Sequence, residues 1–415
     1  MEASDVGADV TKLLEELSRF GKDPDGGVTR LLYDSAWKKA QRFVASAMHD
    51  AGLEVTFDEI GNVYGKLAGA DEAAPSILTG SHIDTVRSGG HYDGALGVAA
   101  GIAALSRLKT KYGIPRRSLE VVSFCEEEGS RFPLAYWGSG NVTGSKDFEG
   151  ALDARDSEGI TLREAMFEAG FDPESFRQSK RRDIGAFVEL HIEQGEVLHR
   201  GGYDIGIVGA IFGQRRYLVE VHGRSGHAGT TPMDIREDAL AACAEMIVWM
   251  RRTARETGDG LVATVGKLEV TPNVANVIPG IVRFTLDIRH SDERALDGFC
   301  ELTIRAFSLI AKEMGVLVTA DCWLSELPSP MNDELSKAIS NVCDHIGLSK
   351  LPISSGAGHD AGLFANVCPT AMIFVPSRDG ISHSPEEYTS PEQMACGTEV
   401  LTELLYTLAY LEEAT

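Results

Sequence analysis

Basic residues are scarce in this chain. Lys and Arg number 39 against 62 Asp and Glu, which leaves a formal charge of −23. A nucleic-acid partner needs a basic footprint, so this balance argues against one, and an anionic membrane surface is unsuitable for the same reason. No apolar run reaches the roughly 20 residues that span a bilayer. The opening MEASDVGADV is acidic and has no apolar core, so a secretory signal is not expected. The seven cysteines, an odd number, are scattered and form no CxxC pair. That usage points to buried free thiols in a reducing compartment, and the expected location is cytoplasmic. Repeats and low-complexity segments are absent too. What remains is a chain of 415 residues, 43% hydrophobic, long enough for two or three domains.

Helical and strand patterns alternate from the start. Residues 10–20 and 36–52 carry apolar residues at helical spacing, the second with Asp34 or Ser35 as N-cap. Strand-like runs follow at 53–67 and 76–84, then a small-residue, buried helix at 95–108. Two more apolar strands, 119–128 and 186–195, end in acids or His. This order predicts an α/β fold: a central mixed sheet flanked by helices, with functional groups at strand ends. The middle reads differently, as a strand at 215–229, a helix at 235–253, two strands, a long helix at 291–314 and a strand at 316–324. That is βαββαβ, a smaller α+β domain with a four-stranded sheet and two helices on one face. After about residue 326 the first style returns. The expected organisation is one domain of 1–206 plus 327–415, interrupted by a second of 207–326.

Five segments concentrate His and carboxylates where strands end: GSHIDTV (80–86), GGHYDGALG (89–97), FCEEEGSRF (124–132), VELHIEQG (188–195) and GISHSPEE (380–387). Imidazole and carboxylate without thiolate suit Mn, Zn, Co or Ni. His82 closes an apolar run, with Asp84 placed to accept its other ring N–H, as metal-bound imidazoles require; a local turn bond is the alternative. Asp93 lies between glycines before the small-residue helix and could equally be its N-cap. Glu126, Glu127 and Glu128 repel one another unless a cation compensates them. If the strand continues, Glu127 lies on the opposite face from its neighbours, so one acid could bind metal while another acts as base. A solvated acidic turn is the rival. His191 shares a strand face with Glu193 and could be a core histidine. His383 has no evident capping duty, because Ser390 to Gln393 form the better capping box. Outside this set, His227 lies in a Gly-rich turn of the inserted domain. Asn276 and Arg289 fall on neighbouring strands there and together suit a carboxylate. Each of these alone could be a surface contact.

Taken together and in this order, the segments resemble the M20 family of dinuclear metallohydrolases over nearly the whole chain. Within it they resemble the branch whose members hydrolyse allantoate, N-carbamoyl-L-amino acids or ureidoglycolate. FGKDPDGGVTRLLYDSAW (20–37), FDEIGNVYG (57–65), EEEGSRFPLAYWGS (126–139) and GQRRY (213–217) are most similar to the allantoate-cleaving group. The resemblance implies a homodimer with two divalent ions per subunit, Mn foremost. It implies that Asp93 bridges them, with His82 and His191 on one ion and Glu128 and His383 on the other. It makes Glu127 the general base and Asp84 the support of His82. The family's peptidases usually carry an acid where His191 stands, so this histidine points to the amidase branch. His227, Asn276 and Arg289 would reach the substrate from the smaller domain, His227 by way of the partner subunit. Gln194, Gln214 and His359 match substrate-lining positions. One departure is that Gly140 stands where relatives often have Arg or Lys. The expected activity is hydrolysis of a ureido C–N bond of a small carboxylate, allantoate first and an N-carbamoyl amino acid or ureidoglycolate second. A non-catalytic ureido-acid binder would be expected to lack a ligand or the base, and this sequence lacks neither.

Overall fold

The computed structural model describes residues 3–411. The chain forms two compact units: one comprises residues up to Gly209, 331–353 and from Gly358 onward, and the other Ala210–Pro330 with Ser354–Ala357. The detached stretch 354–357 is tied to the second unit through its carbonyl oxygens. Phe212 N–H donates to Ser355 O at 2.9 Å, and Arg289 Nη1 donates to Gly356 O at 2.8 Å.

The first unit is built on the mixed sheet that the alternation predicts. Four strands lie side by side and parallel: Leu119–Phe124, Ser76–His82, Ile184–Ile192 and Thr370–Val375. Val63–Leu67 and Ile205–Ile211 flank them antiparallel, and Glu54–Phe57 extends the first edge. Three of the four parallel strands are buried along their whole length, which is why they read as continuous apolar runs rather than as alternation. The helix Ala95–Tyr112, buried through most of its first three turns, packs on this sheet beside Pro391–Tyr410 and Ala3–Leu17. Caps fall where the sequence predicts. Asp34 accepts Trp37 N–H at 2.6 Å, and Ser390 and Gln393 close a reciprocal capping box. No helix among the described residues is long and apolar enough to cross a membrane.

Two strand readings need correction. The run 53–67 is a hairpin, not one strand. Asp58 accepts Ile60 and Asn62 N–H and bends the chain between Phe57 and Val63. The strand expected to run through 128 ends at Phe124, so alternation does not arrange the three glutamates. They lie in the loop that follows, where Glu126 folds back to accept Gly129 N–H at 2.5 Å and Ser130 N–H at 3.2 Å.

Parallel strands bring their carboxyl ends to one edge of a sheet, and ligands gather there. Here that edge carries His82, the Glu126–Glu128 loop, His191 one residue before its strand ends, and the loop from Val375 to His383.

The second unit is a four-stranded antiparallel sheet in the order Leu317–Glu326, Gly213–His222, Ile281–His290, Val262–Thr271. Helices Ala239–Thr257 and Glu293–Glu313 cover one face, where Val219, Val221, Phe284 and Ile288 meet Met246, Phe299 and Phe307. The other face is polar. Arg283 pairs with Glu220, and Arg216 with Asp287 at 2.9 Å. Asn276 is not on a strand beside Arg289. It precedes the short strand Val277–Ile278, which pairs with Gly226–His227, whereas Arg289 pairs with Gln214.

Candidate metal centre

Asp93 lies at the centre of the loop cluster, 7% exposed. Its Oδ1 is 3.1 Å from His191 Nε2 and 3.7 Å from His82 Nε2. Its Oδ2 is 3.1 Å from His383 Nε2, which in turn lies 3.3 Å from Glu128 Oε1. Two donor sets result, His82–Asp93–His191 and Asp93–Glu128–His383, and they share one carboxylate. Glu127 lies beside them, with Oε2 4.0 Å from His82 Nε2.

The imidazoles are oriented by what their other nitrogens meet. His82 Nδ1 is 3.1 Å from Asp84 O and 3.3 Å from Asp84 Oδ1; His191 Nδ1 is 2.9 Å from Ile192 O. A proton on Nδ1 satisfies both, and in the neutral ring Nε2, the nitrogen that faces Asp93, is then free to take a cation. Asp84 has a second duty. It accepts Glu127 N–H at 3.1 Å and Glu128 N–H at 3.1 Å, so one carboxylate aims a histidine and fixes the acidic loop. At Gly94 a methyl group would meet the His82 ring at 2.5 Å, and its φ of +64° suits glycine.

Charge explains why this donor set fits divalent cations. Burial opposes ionisation of Asp93, but hydrogen bonds from His191 and His383 hold its carboxyl well below the usual range. Burial disfavours the His82 imidazolium, yet Asp84, then Glu127 and Asp93, hold its pKa well above the ordinary value. Hydrogen bonds to Asp93 and Glu128 raise His383 to about 10. Protons on imidazoles thus compensate the carboxylates, and a cation loaded into the cluster would displace them. Burial pushes Glu127 well up, against the pull of His82, with Glu128, Asp360 and Asp84 adding repulsion. Burial and like-charged neighbours thus make Glu127 a stronger proton acceptor than an ordinary glutamate.

The remaining sequence candidates fall into separate groups. Gln194, at φ +57°, donates to Asp93 Oδ2 at 2.8 Å, so it holds the shared carboxylate. His359 is buried with its ring centroid 4.5 Å from that of His191, and its pKa is held low by burial and by His191. In the second unit Gln214 faces Arg289 in register and donates to Glu326 at 2.5 Å. Asp287 grips the Arg289 guanidinium with both oxygens, at 2.7 and 2.9 Å. His227 is exposed, and its Nδ1 accepts Gly229 N–H at 3.1 Å, which puts the proton of the neutral ring on Nε2. Asn276 O accepts Ala228 N–H at 3.0 Å, tying it to the same turn. Gly140 packs on Phe148, whose ring a methyl group there would meet at 2.8 Å, so any larger side chain at this position requires the ring to shift.

Sequence reasoning missed several buried carboxylates, among them Glu189, Asp360 and Glu387. Glu189 accepts the Ser81 hydroxyl at 2.6 Å and Ala361 N–H at 2.9 Å. The same i, i+2 alternation that marks His191 places Glu189 on its face. Glu387 stands behind Asp93 and had no signal beyond its place in GISHSPEE.

Fold and site together define a metal-dependent hydrolase in which two donor sets share an aspartate. The family model described as "Peptidase family M20/M25/M40" matches residues 78–407, and the chain belongs to this family. It is 48% identical to the allantoate amidohydrolase of Bacillus subtilis (strain 168), over 97% of each chain. It is 45% identical to that of Escherichia coli (strain K12), over 97% of this chain and 98% of the other. Among solved structures, an amidase of the hydantoinase/carbamoylase family from Burkholderia multivorans is similar, with a TM-score of 0.91, 34% identity, and 97% and 98% of the two chains covered.

If the two donor sets each hold a cation, Asp93→Ala should leave less than about one metal per chain by elemental analysis. His82→Ala should leave about one, because it removes a donor from a single set. Two tightly held ions in Asp93→Ala would rule out the shared role.

Proposed function

We propose that this protein hydrolyses a ureido C–N bond of a small carboxylate, with allantoate as the substrate. The products are then ureidoglycine and carbamate, which decomposes to ammonia and carbon dioxide. The observation that carries the reading is the shared Asp93 with Glu127 beside it, in a chain nearly half identical, over almost its full length, to two allantoate amidohydrolases.

His82, Asp93 and His191 would hold one divalent ion, and Asp93, Glu128 and His383 the other. Such ions lower the pKa of a bound water and polarise a carbonyl. Mn is the first choice, and Zn, Co and Ni suit the same donors. Glu127 takes a proton from the attacking water as its oxygen adds to the ureido carbon. It then delivers that proton to the leaving nitrogen as the C–N bond breaks, so nitrogen departs as a neutral amine. Asp84 keeps Glu127 and Glu128 in place through their main-chain N–H groups. Arg289 binds the substrate carboxylate, with Asp287 orienting the guanidinium, and Asn276 meets the substrate from the turn it shares with His227. Gln194, Gln214 and His359 line the substrate. His227, with its proton on Nε2, donates to the developing oxyanion.

The inserted unit serves as the dimerisation and lid element. Strands Leu317–Glu326 and Val262–Thr271 are the two edges of its sheet, and Val262 and Leu268 are exposed on the second. An open sheet edge is commonly paired with a second copy around a two-fold axis. In that dimer His227 comes from the second copy. Seven free thiols, four of them buried, fit a reducing, cytoplasmic setting.

Three outcomes are expected. Steady-state assays should give a higher kcat/KM for allantoate than for N-carbamoyl-L-amino acids; the reverse order makes the protein a carbamoylase. Glu127→Gln should keep its metals and lose turnover by about 10²–10⁴-fold or more; near-normal turnover removes Glu127 from the chemistry. Mixing inactive Glu127→Gln and His227→Ala chains should restore activity, because one hybrid site receives both native groups. Subunit exchange without recovery sinks the shared-site dimer.

A further inference from the structure

Glu387 is 3% exposed, four residues beyond His383, and the chemistry above gives it no task. Its carboxylate is nonetheless fully engaged. Oε1 accepts Tyr92 N–H at 2.9 Å and Asp93 N–H at 3.1 Å, and Oε2 accepts the Ser382 hydroxyl at 2.7 Å. Ser382 Oγ also lies 3.3 Å from Asp93 Oδ2, the oxygen to which Gln194 Nε2 donates at 2.8 Å. Glu387 thus grips the main chain of Asp93 directly and reaches the residue before His383 through one hydroxyl.

The surroundings are shaped to this carboxylate. Residues 83–94 form no helix or strand, so no sheet ladder fixes the Asp93 N–H. At Gly90 an added methyl group would collide with the Glu387 carboxylate. The loop therefore wraps the acid at a point where only glycine leaves room. A carboxylate buried this deeply is costly unless donors meet it, and three do.

We propose that Glu387 is a positioning residue that sets the orientation of Asp93 and couples it to the His383 loop. It thereby holds the donors of the Asp93–Glu128–His383 set in mutual register. The proposal rests on reading Asp93 as the shared metal ligand. Groups that orient metal ligands from behind typically change metal affinity or activity by about 10–100-fold when removed.

The experiment measures Mn²⁺ affinity of the full-length protein by competition with a chelator, together with the melting midpoint of the metal-free protein. Glu387→Ala should bind at least one Mn²⁺ about 10–100-fold more weakly. Glu387→Gln should recover most of that loss. Its Oε1 can still accept both main-chain N–H groups, and its Nε2 can donate to Ser382 Oγ. Gly90→Ala should weaken Mn²⁺ binding in the same direction by displacing the intact carboxylate. Wild-type affinity in folded Glu387→Ala overturns the proposal. So does a Glu387→Gln protein as weak as Glu387→Ala, because the effect would then be charge and not position. If Glu387→Ala does not fold, Gly90→Ala decides, and wild-type affinity there overturns the proposal. Asp93→Ala, run alongside, tests the underlying reading by itself: two tight Mn²⁺ ions in that variant mean the shared-ligand reading has failed, and the proposal with it.

Discussion

The structure of the larger unit turns on one electrostatic problem. Asp84, Asp93, Glu126, Glu127, Glu189 and Glu387 are all buried around one sheet edge. Carboxylates this close cannot all ionise out of water without compensation. Imidazoles supply part of it, main-chain N–H groups supply more, and divalent cations are the remaining candidates. The parallel sheet delivers the imidazoles, because His82 and His191 come to the same edge from adjacent strands. The loops deliver the N–H groups, which is why Asp84, Glu126 and Glu387 each bind two of them.

The second unit solves a different problem. Its sheet buries one face against two helices and covers the other with crossed ion pairs rather than apolar residues. Gln214 and Arg289 stand opposite one another on neighbouring strands, while His227 and Asn276 share a separate turn. A polar ligand could use both groups. The rigidity needed to present them comes from the strand ladder for the first and from the paired two-residue strands for the second.

Much of this was legible in the residues. The fold class followed from continuous apolar runs alternating with helical spacing. His82, Asp93, Glu128, His191 and His383 lie in the five segments where His and carboxylates concentrate, the family resemblance picks them out of those segments, and the structure brings all five together. What the sequence hid depends on closure between distant segments. Asp84 reaches Glu127 across 43 residues, and Glu387 reaches Asp93 across 294. No local pattern encodes either contact. The alternation that would set Glu127 on the opposite face from its neighbours holds only while a strand continues, and this one stops at Phe124. Asn276 was placed beside Arg289 because a turn followed by two strand residues looks like the end of a long strand.

The five candidate donors come from positions 82, 93, 128, 191 and 383, the last of them encoded after the whole inserted unit. No fragment ending before that unit contains the His383 donor, and an unfolded chain has no reason to bring the other four within reach. An ion that binds here binds the native state almost exclusively. Mass action then converts metal availability directly into conformational stability, by about 2.7 kcal/mol when the free ion stands at a hundred times its dissociation constant. For this chain the supply of metal would therefore regulate how much folded protein persists as well as how fast it works.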